Sequence, residues 1–493
     1  MAAVVARHPL ALILALAFAL RLPFAFIPAY AHPDEIFQHI EQAHRLVTGY
    51  GLIPWEYRDG IRSWFLPMLL SPLIWVHDLL GLEGSDYVIA IRIVFVLLSL
   101  AVVASFYGIG RRFSSTHGLL AGFVGAVWFE LIYYSSHTLG ESASLAAFMP
   151  AAWLLLDART APPRRMIAAG FLLGIAVLLR FQLLPAAGVL VLLTCALRIR
   201  QAWLPLSIGG LIALGLGAAA DMSQGAVPFS WLVGNFAANI VDGRASGYGT
   251  SGPHFYLGAM LIRWNTLAIL LVPLALVGAR RYPALFLTLV VHLLVHTLIG
   301  HKEYRFILLT SAGITLFAAI GFADAVLWIK SRLPQHGGII LTAAFAFWLL
   351  NSLLLSFGES YRYRWFDHYP ALAATAEAGR IPGLCGAALH LHFSDSGGYS
   401  YLHRQVPLYE ILPKDKAQIR RGMAAFNAIV APPSAAADLP ANYRQVRCFE
   451  PLPRNPLDDA PDAGATCVFI RPGTCTSVPE LPTINVALRV RNE

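Results

Sequence analysis

Apolar stretches of about twenty residues recur along most of this chain, and no other feature limits its fold so strongly. Segments 9–30, 88–109, 117–136, 142–157, 203–221, 255–278, 283–300, 305–329 and 338–357 are candidate bilayer crossings. Segment 166–197 is long enough for two short crossings, with Arg180-Phe181-Gln182 at the bend. Of the 493 residues, 57% are hydrophobic and only 13% charged, against roughly 25% charged in an average soluble chain. No soluble core can hide that much apolar surface, so lipid is the solvent for most of it.

A net charge of +8 raises nucleic acid as a partner, but the basic residues are arranged otherwise. They stand in short clusters between apolar runs, as Arg111-Arg112, Arg164-Arg165 and Arg280-Arg281. That is the pattern of cytoplasmic loops, and no nucleic-acid partner is expected. Near the N-terminus, Arg7 and the Ala29-Tyr30-Ala31 sequence imitate a secretory signal. The apolar stretch from Pro9 to Ala31 is longer than the about 7–15 residues of a signal core, and Arg21 and Pro23 interrupt it. A retained first span is expected.

The basic clusters also assign sides. With a cytoplasmic N-terminus, two crossings in 166–197 and none in 62–80, every cluster from Arg111-Arg112 to Lys330 with Arg332 falls inside. The total is about eleven spans. Segment 62–80, with Pro67 and Pro72, then reads as an interfacial or re-entrant helix. Segments 31–62, 222–254 and the turn 301–305 share the outer face, joined by 359–493. The expected fold class is an all-α polytopic membrane protein, 1–358, whose first outer loop (31–87) carries interfacial helices. Residues 359–493 form a small extracytoplasmic segment of mixed α/β character, rich in Pro, Gly and charge. Cys385, Cys448, Cys467 and Cys475 all lie in that segment, where an oxidising compartment would allow one or two disulfides in any of three pairings.

Several polar groups on the outer side are candidates for chemistry. The first loop reads His32-Pro33-Asp34-Glu35-Ile36-Phe37-Gln38. Asp34 is a suitable helix N-cap and Glu35 a solvated neighbour; alternatively, the two are a general base beside a positioning carboxylate. Trp55-Glu56-Tyr57 forms either an interfacial aromatic belt or a platform for a sugar face. The turn His301-Lys302-Glu303-Tyr304-Arg305 carries cations on the side where positive charge is disfavoured. Either Glu303 pairs with them locally, or they bind a phosphate. Inside the spans, Glu130, Arg180, Asp221, His292 and His296 are ionisable and so functional candidates. Glu141, in the outer turn from His137, is another. His292 and His296 have metal-ligand spacing, but no third ligand follows, and no metal site is expected.

These motifs together resemble the Alg9-like mannosyltransferases. That group includes the mannosyltransferases of dolichol-linked oligosaccharides and of GPI anchors, with the GT-C fold. The resemblance rests on His32-Pro33-Asp34-Glu35 with Phe37-Gln38, Trp55-Glu56-Tyr57, Ile61-Arg62-Ser63 and His301-Lys302-Glu303-Tyr304-Arg305-Phe306, in that order, and covers residues 9 to about 330. Tyr57 stands where many members have Trp, and Tyr304 where many have Glu. The resemblance implies a polyprenyl- or dolichyl-phosphate sugar donor, usually of mannose, a glycan or glycolipid acceptor, and inversion at the anomeric carbon. It implies Asp34 as catalytic carboxylate, with Glu35 beside it. Lys302, Arg305 and Arg62 are then the candidate phosphate ligands. His32, Gln38, Trp55, Glu56, Tyr57, His301 and Glu303 are the remaining substrate contacts. A phosphate leaving group is already a stable anion, so one base should suffice and no metal or other cofactor is required. A transporter or flippase for a lipid-linked glycan is the alternative, as is a ligase; no inverted repeat is visible to support transport. The active face would be periplasmic in a bacterial inner membrane, the placement put first, or lumenal in the ER.

Overall fold

The computed structural model describes residues 8–412, 416–453, 464–478 and 481–490. Arg7 lies outside them. The chain packs as two compact units: 1–24, 63–65 and 93–361 form one, and 25–62, 66–92 and 362–493 the other.

The first unit is helical throughout. Five helices in the described chain are long and apolar enough to cross a membrane: Tyr87–Arg111, Ile199–Ser223, Phe255–Ala279, Tyr304–Arg332 and Pro334–Ser356. The pair Ser115–Val127 and Phe129–Ser136 makes a sixth if its 55° bend is one broken span. Shorter apolar helices include Pro9–Ala25 and Pro283–Leu298. Segment 166–197 turns where expected: helix Pro163–Leu179 ends as Arg180 becomes extended (φ −148°), and a second helix runs Leu184–Cys195.

Reciprocal glycines draw two helix pairs together. A Cβ on Gly170 would stand 1.9 Å from the carbonyl oxygen of Leu206, and one on Gly209 1.9 Å from that of Ile167. Gly278 and Gly321 make the same approach, at 2.1 Å from the oxygen of Phe317 and 2.0 Å from that of Leu274. In lipid, such close backbone approach is what holds helices together, because apolar burial by itself gives no preference for protein over lipid. The break at Trp128 (ψ 123°) interrupts the helical hydrogen bonds of the preceding turn. Buried Arg21 donates to the carbonyls of Ala126 (2.7 Å) and Gly125 (2.7 Å) there, so the residue that interrupts the first apolar stretch repairs a broken span.

The second unit begins with the first outer loop. A π-helical turn, Glu35–Ile40, runs into helix Glu41–Thr48, which Gly49 (φ 76°) ends in the left-handed conformation that glycine adopts most easily. Helix Phe65–Leu79 buries Leu66, Leu70, Ile74 and His77, while Leu69, Trp75, Val76 and Leu79 are exposed. The exposed face of this helix is apolar.

The C-terminal part is mixed α/β. Five strands, β1 (Ala387–Leu389), β2 (Leu408–Glu410), β3 (Ala428–Ala431), β4 (Arg444–Phe449) and β5 (Thr466–Ile470), form one sheet in the order β2-β1-β3-β5-β4. β1 is parallel to β2 and β3; β5 is antiparallel to β3 and β4. Ile429, Phe426, Ile419 and Phe469 lie in its core. Of the three pairings open to the four cysteines, the fold selects Cys385–Cys475 and Cys448–Cys467. The second follows from register, since Cys448 and Cys467 are directly opposite on β4 and β5.

Candidate active site

In the second unit, Asp34 stands at the N-cap of the turn Glu35–Ile40, but its side chain makes no capping hydrogen bond and its backbone is already helical (φ −55°). The capping role suggested by the sequence is therefore not the one it has. Its carboxylate lies 3.3 Å from Nδ1 of His32, and that nitrogen is 3.2 Å from the Asp34 N–H. His32 thus positions the loop around the acid.

Glu35 is used differently. It is buried, and its Oε1 accepts from the N–H groups of Ala31 (2.6 Å) and His32 (3.3 Å). Its carboxylate holds the backbone of the loop that presents Asp34. Gln38 donates to Glu56 (2.9 Å), and the Tyr57 hydroxyl donates to the Gln38 carbonyl (2.8 Å), which docks the short helix Trp55–Arg58 on the loop. Burial pushes the Glu56 carboxyl above the usual range; Arg62 opposes this and Asp34 adds to it. Arg62 and Asp34 thus both act on the Glu56 carboxyl. Nε of Arg62 is buried with no hydrogen-bond partner among the described residues. Trp55 is half-buried at the start of its helix.

Sequence reasoning gave no role to Glu41. Fully buried, it accepts from the N–H groups of Leu52 (2.6 Å), Tyr399 (3.2 Å) and Ser400 (2.7 Å) and from the Ser400 hydroxyl. Gly397 (φ 76°) and Gly398 (φ 60°) turn those C-terminal N–H groups toward it, and a Cβ on Gly398 would stand 3.1 Å from its Oε2. Glu41 therefore ties the first loop to the C-terminal segment 359 residues away in sequence. Nothing in its local sequence signals this.

In the first unit, the turn 301–305 separates the expected phosphate ligands. Lys302 donates to the carbonyl of Ile299, which caps helix Pro283–Leu298. Its ammonium serves a helix C-terminus, where positive charge is favoured. Arg305 pairs with Glu303 (2.7 Å) and, through Nη1, approaches Glu141 at 3.3 Å. Arg180 approaches the same Glu141 oxygen, also at 3.3 Å. Both guanidinium groups lie about 5 Å from the centre of the Phe306 ring, at 5.0 and 5.1 Å. Glu141, Arg180, Arg305, Phe306, His292 and His296 line a cavity with room for about one water molecule. Arg180 reaches it because the chain breaks at that residue. His301 bonds Glu303 (3.0 Å) and the Gly249 carbonyl (3.0 Å). Nδ1 of His292 contacts the Thr310 hydroxyl (2.8 Å), and Nδ1 of His296 contacts the His292 carbonyl (2.9 Å).

Two intramembrane acids prove to be structural. Glu130 accepts from Trp128 (3.3 Å), Trp264 (3.2 Å), Ser311 (2.7 Å) and Tyr304. Asp221 accepts from the Phe229 N–H (3.0 Å) and the Trp231 indole (3.1 Å).

Residues 12–379 match the model of the Alg9-like mannosyltransferase family. The chain belongs to that family. A GPI mannosyltransferase 3 of Drosophila melanogaster is 31% identical over 330 residues, 59% of this chain and 53% of the relative. A GPI alpha-1,2-mannosyltransferase 3 of Mus musculus is 25% identical over 398 residues, 75% of this chain and 68% of the relative. The chain spans about half the length of the first curated relatives it matches. Among solved structures, ArnT from Cupriavidus metallidurans has the same fold. The apo form superposes with a TM-score of 0.58 over 94% of this chain and 98% of its own, at 10% identity. The form bound to undecaprenyl phosphate gives 0.55 over 95% and 99%, at 12% identity. The Alg9-like resemblance drawn from four motifs is thereby upheld, and the motifs lie within the matched residues.

Proposed function

We propose that this member of the family is an integral membrane glycosyltransferase. It transfers a hexose, mannose by family, from a polyprenyl- or dolichyl-phosphate donor to a hydroxyl of a glycan or glycolipid, with inversion. The observation that carries this reading is the state of Asp34: a carboxylate at the start of a helical turn in the first outer loop, with no capping bond and with the His32 ring 3.3 Å away. Its loop is held by Glu35, so the acid is positioned by other groups rather than used for packing.

Asp34 takes the proton from the acceptor hydroxyl as that oxygen attacks the anomeric carbon. The bond from that carbon to the phosphate oxygen breaks, and the bond pair leaves with the phosphate. Arg305 with Arg180 supplies positive charge for the phosphate, in place of the Lys302–Arg305 pair first expected, and Arg62 remains a further candidate. His32, Gln38, Trp55, Glu56, Tyr57, His301 and Glu303 are the further substrate contacts proposed. The scheme needs no metal or cofactor.

The topology we propose keeps about eleven crossings, with the loop 31–62 and the C-terminal segment on the extracytoplasmic face. The relatives named above come from fly and mouse, so the bacterial inner membrane gains no support from them, and the ER with a lumenal site becomes the preferred placement. A ligase has no observation in its favour. The transporter alternative has lost its best pathway acids, since Glu130 and Asp221 have protein donors.

Full-length protein in detergent, given synthetic polyprenyl-phosphate mannose and candidate glycolipid acceptors, tests the proposal. Transfer by the wild type that disappears in Asp34→Asn with donor affinity unchanged is expected. Undiminished transfer by Asp34→Asn would remove the base assignment.

A further inference from the structure

At the end of helix Phe65–Leu79 in the second unit, His77 and Asp78 meet His403, which follows the short helix Gly398–Leu402. Nδ1 of His77 is 3.1 Å from Oδ1 of Asp78, and Nε2 of His403 is 3.3 Å from the same oxygen. One ligand atom from each of the three side chains lies within 4.8 Å of the others. His77 is buried, and His403 and Asp78 are partly so.

The hydrogen positions can be worked out from the neighbours. Nδ1 of His44 faces the carbonyl of Tyr50 at 3.2 Å, and a carbonyl only accepts, so this nitrogen carries the hydrogen. Nε2 of His44 is then an acceptor, and Nδ1 of His403, 3.1 Å away, is its donor. A neutral His403 therefore directs the lone pair of Nε2 at the carboxylate of Asp78, acceptor against acceptor. A positive species belongs between them. A proton on Nε2 would satisfy that contact alone. A metal ion would satisfy it and also take Nδ1 of His77 as a ligand.

The spacing suits a small divalent ion. Ligand atoms about 2.0–2.1 Å from a tetrahedral zinc stand roughly 3.3 Å from one another; the two contacts on Asp78 measure 3.1 and 3.3 Å. Two imidazoles with one carboxylate favour zinc over magnesium or calcium. The chain from His403 through His44 to the Tyr50 carbonyl is the outer support that a metal-bound histidine requires, fixing its tautomer and ring plane.

We propose that His77, Asp78 and His403 bind a zinc-class divalent cation, with water in the fourth position. The ion is structural: it ties the end of helix Phe65–Leu79 to the turn at His403 within the second unit. It stands against the expectation from sequence that the chain has no metal site, and takes no part in the transfer scheme above.

The test uses the full-length, untagged protein, stripped with EDTA and then given zinc chloride. After gel filtration the wild type should retain one zinc per chain by elemental analysis, and its thermal midpoint should rise by several degrees. His403→Gln should lose retention. Asp78→Asn, which replaces a charged ligand by a neutral one, should lower zinc retention below that of the wild type. Cobalt chloride in place of zinc should give the intense visible absorption of four-coordinate cobalt in the wild type, independently of how any variant folds. A folded wild type that retains no zinc and whose midpoint ignores it would overturn the proposal and leave a hydrogen-bonded ion pair. Zinc retained equally by the His403→Gln/Asp78→Asn double variant would overturn it as well.

Discussion

Glu130 and Asp34 are both acids in helical turns, one in each unit, and their surroundings differ completely. Glu130 receives four donors, two indoles and two hydroxyls, and is fully buried. Asp34 caps nothing and is partly exposed, with His32 beside it. The difference teaches that position in a membrane protein does not identify a reactive acid. An acid whose lone pairs are filled by the protein holds helices together, since an unfilled donor in lipid is costly. Asp34 lies at the start of its turn without capping it and keeps part of its surface exposed.

The contrast can be broken most directly at Asp34. Asp34→Asn should lower the transfer rate by about 10²- to 10⁴-fold and change the unfolding midpoint little. A midpoint loss as large as that of a Glu130 variant would make the two acids alike. Next in size is the cavity of the first unit. Arg305→Ala should weaken donor binding by roughly 10- to 100-fold, the loss of a charge-assisted hydrogen bond, whereas Lys302→Ala should leave donor binding nearly unchanged. Equal losses measured by equilibrium binding would restore the Lys302–Arg305 pair.

On the structural side, Glu130→Gln places an amide where only acceptors fit and should cost about 1–3 kcal/mol in stability by chemical denaturation in detergent. A neutral result would mean that the four donors find other partners. The smallest effect is the pH dependence of Glu56. Its folded carboxyl lies above the ordinary 4.5, so the folded chain keeps a proton that the unfolded chain releases. That stability is fully present below pH 4.5 and is lost as pH rises through the folded value. Wild-type thermal midpoints should therefore fall more steeply above that pH than those of Glu56→Gln. Parallel profiles would take Glu56 out of the acidic group.

The loop and the turn were legible to different degrees. Asp34 is proposed from its motif, and the absence of a capping bond goes with a backbone already helical at that residue. Glu35 stood beside it in sequence and looked like its partner, yet its side chain folds back on Ala31 and His32. Lys302 and Arg305 looked equivalent as outer-face cations. Only the fold sends one to a helix end and the other toward Glu141. Glu41 carried no signal, because its partners at 399–400 are distant in sequence and turned toward it by two left-handed glycines.

By itself the sequence determined the solvent of this chain, most of its helical segments, the bend at Arg180 and its family. Apolar run length, charge clusters and short motifs are local and additive, and lipid enforces them strictly. Only the tertiary structure decided the disulfide pairing, the close glycine contacts and which charged groups are filled. Hydrogen-bond satisfaction is a property of partners brought together from remote positions, and no window of sequence contains both members of such a pair.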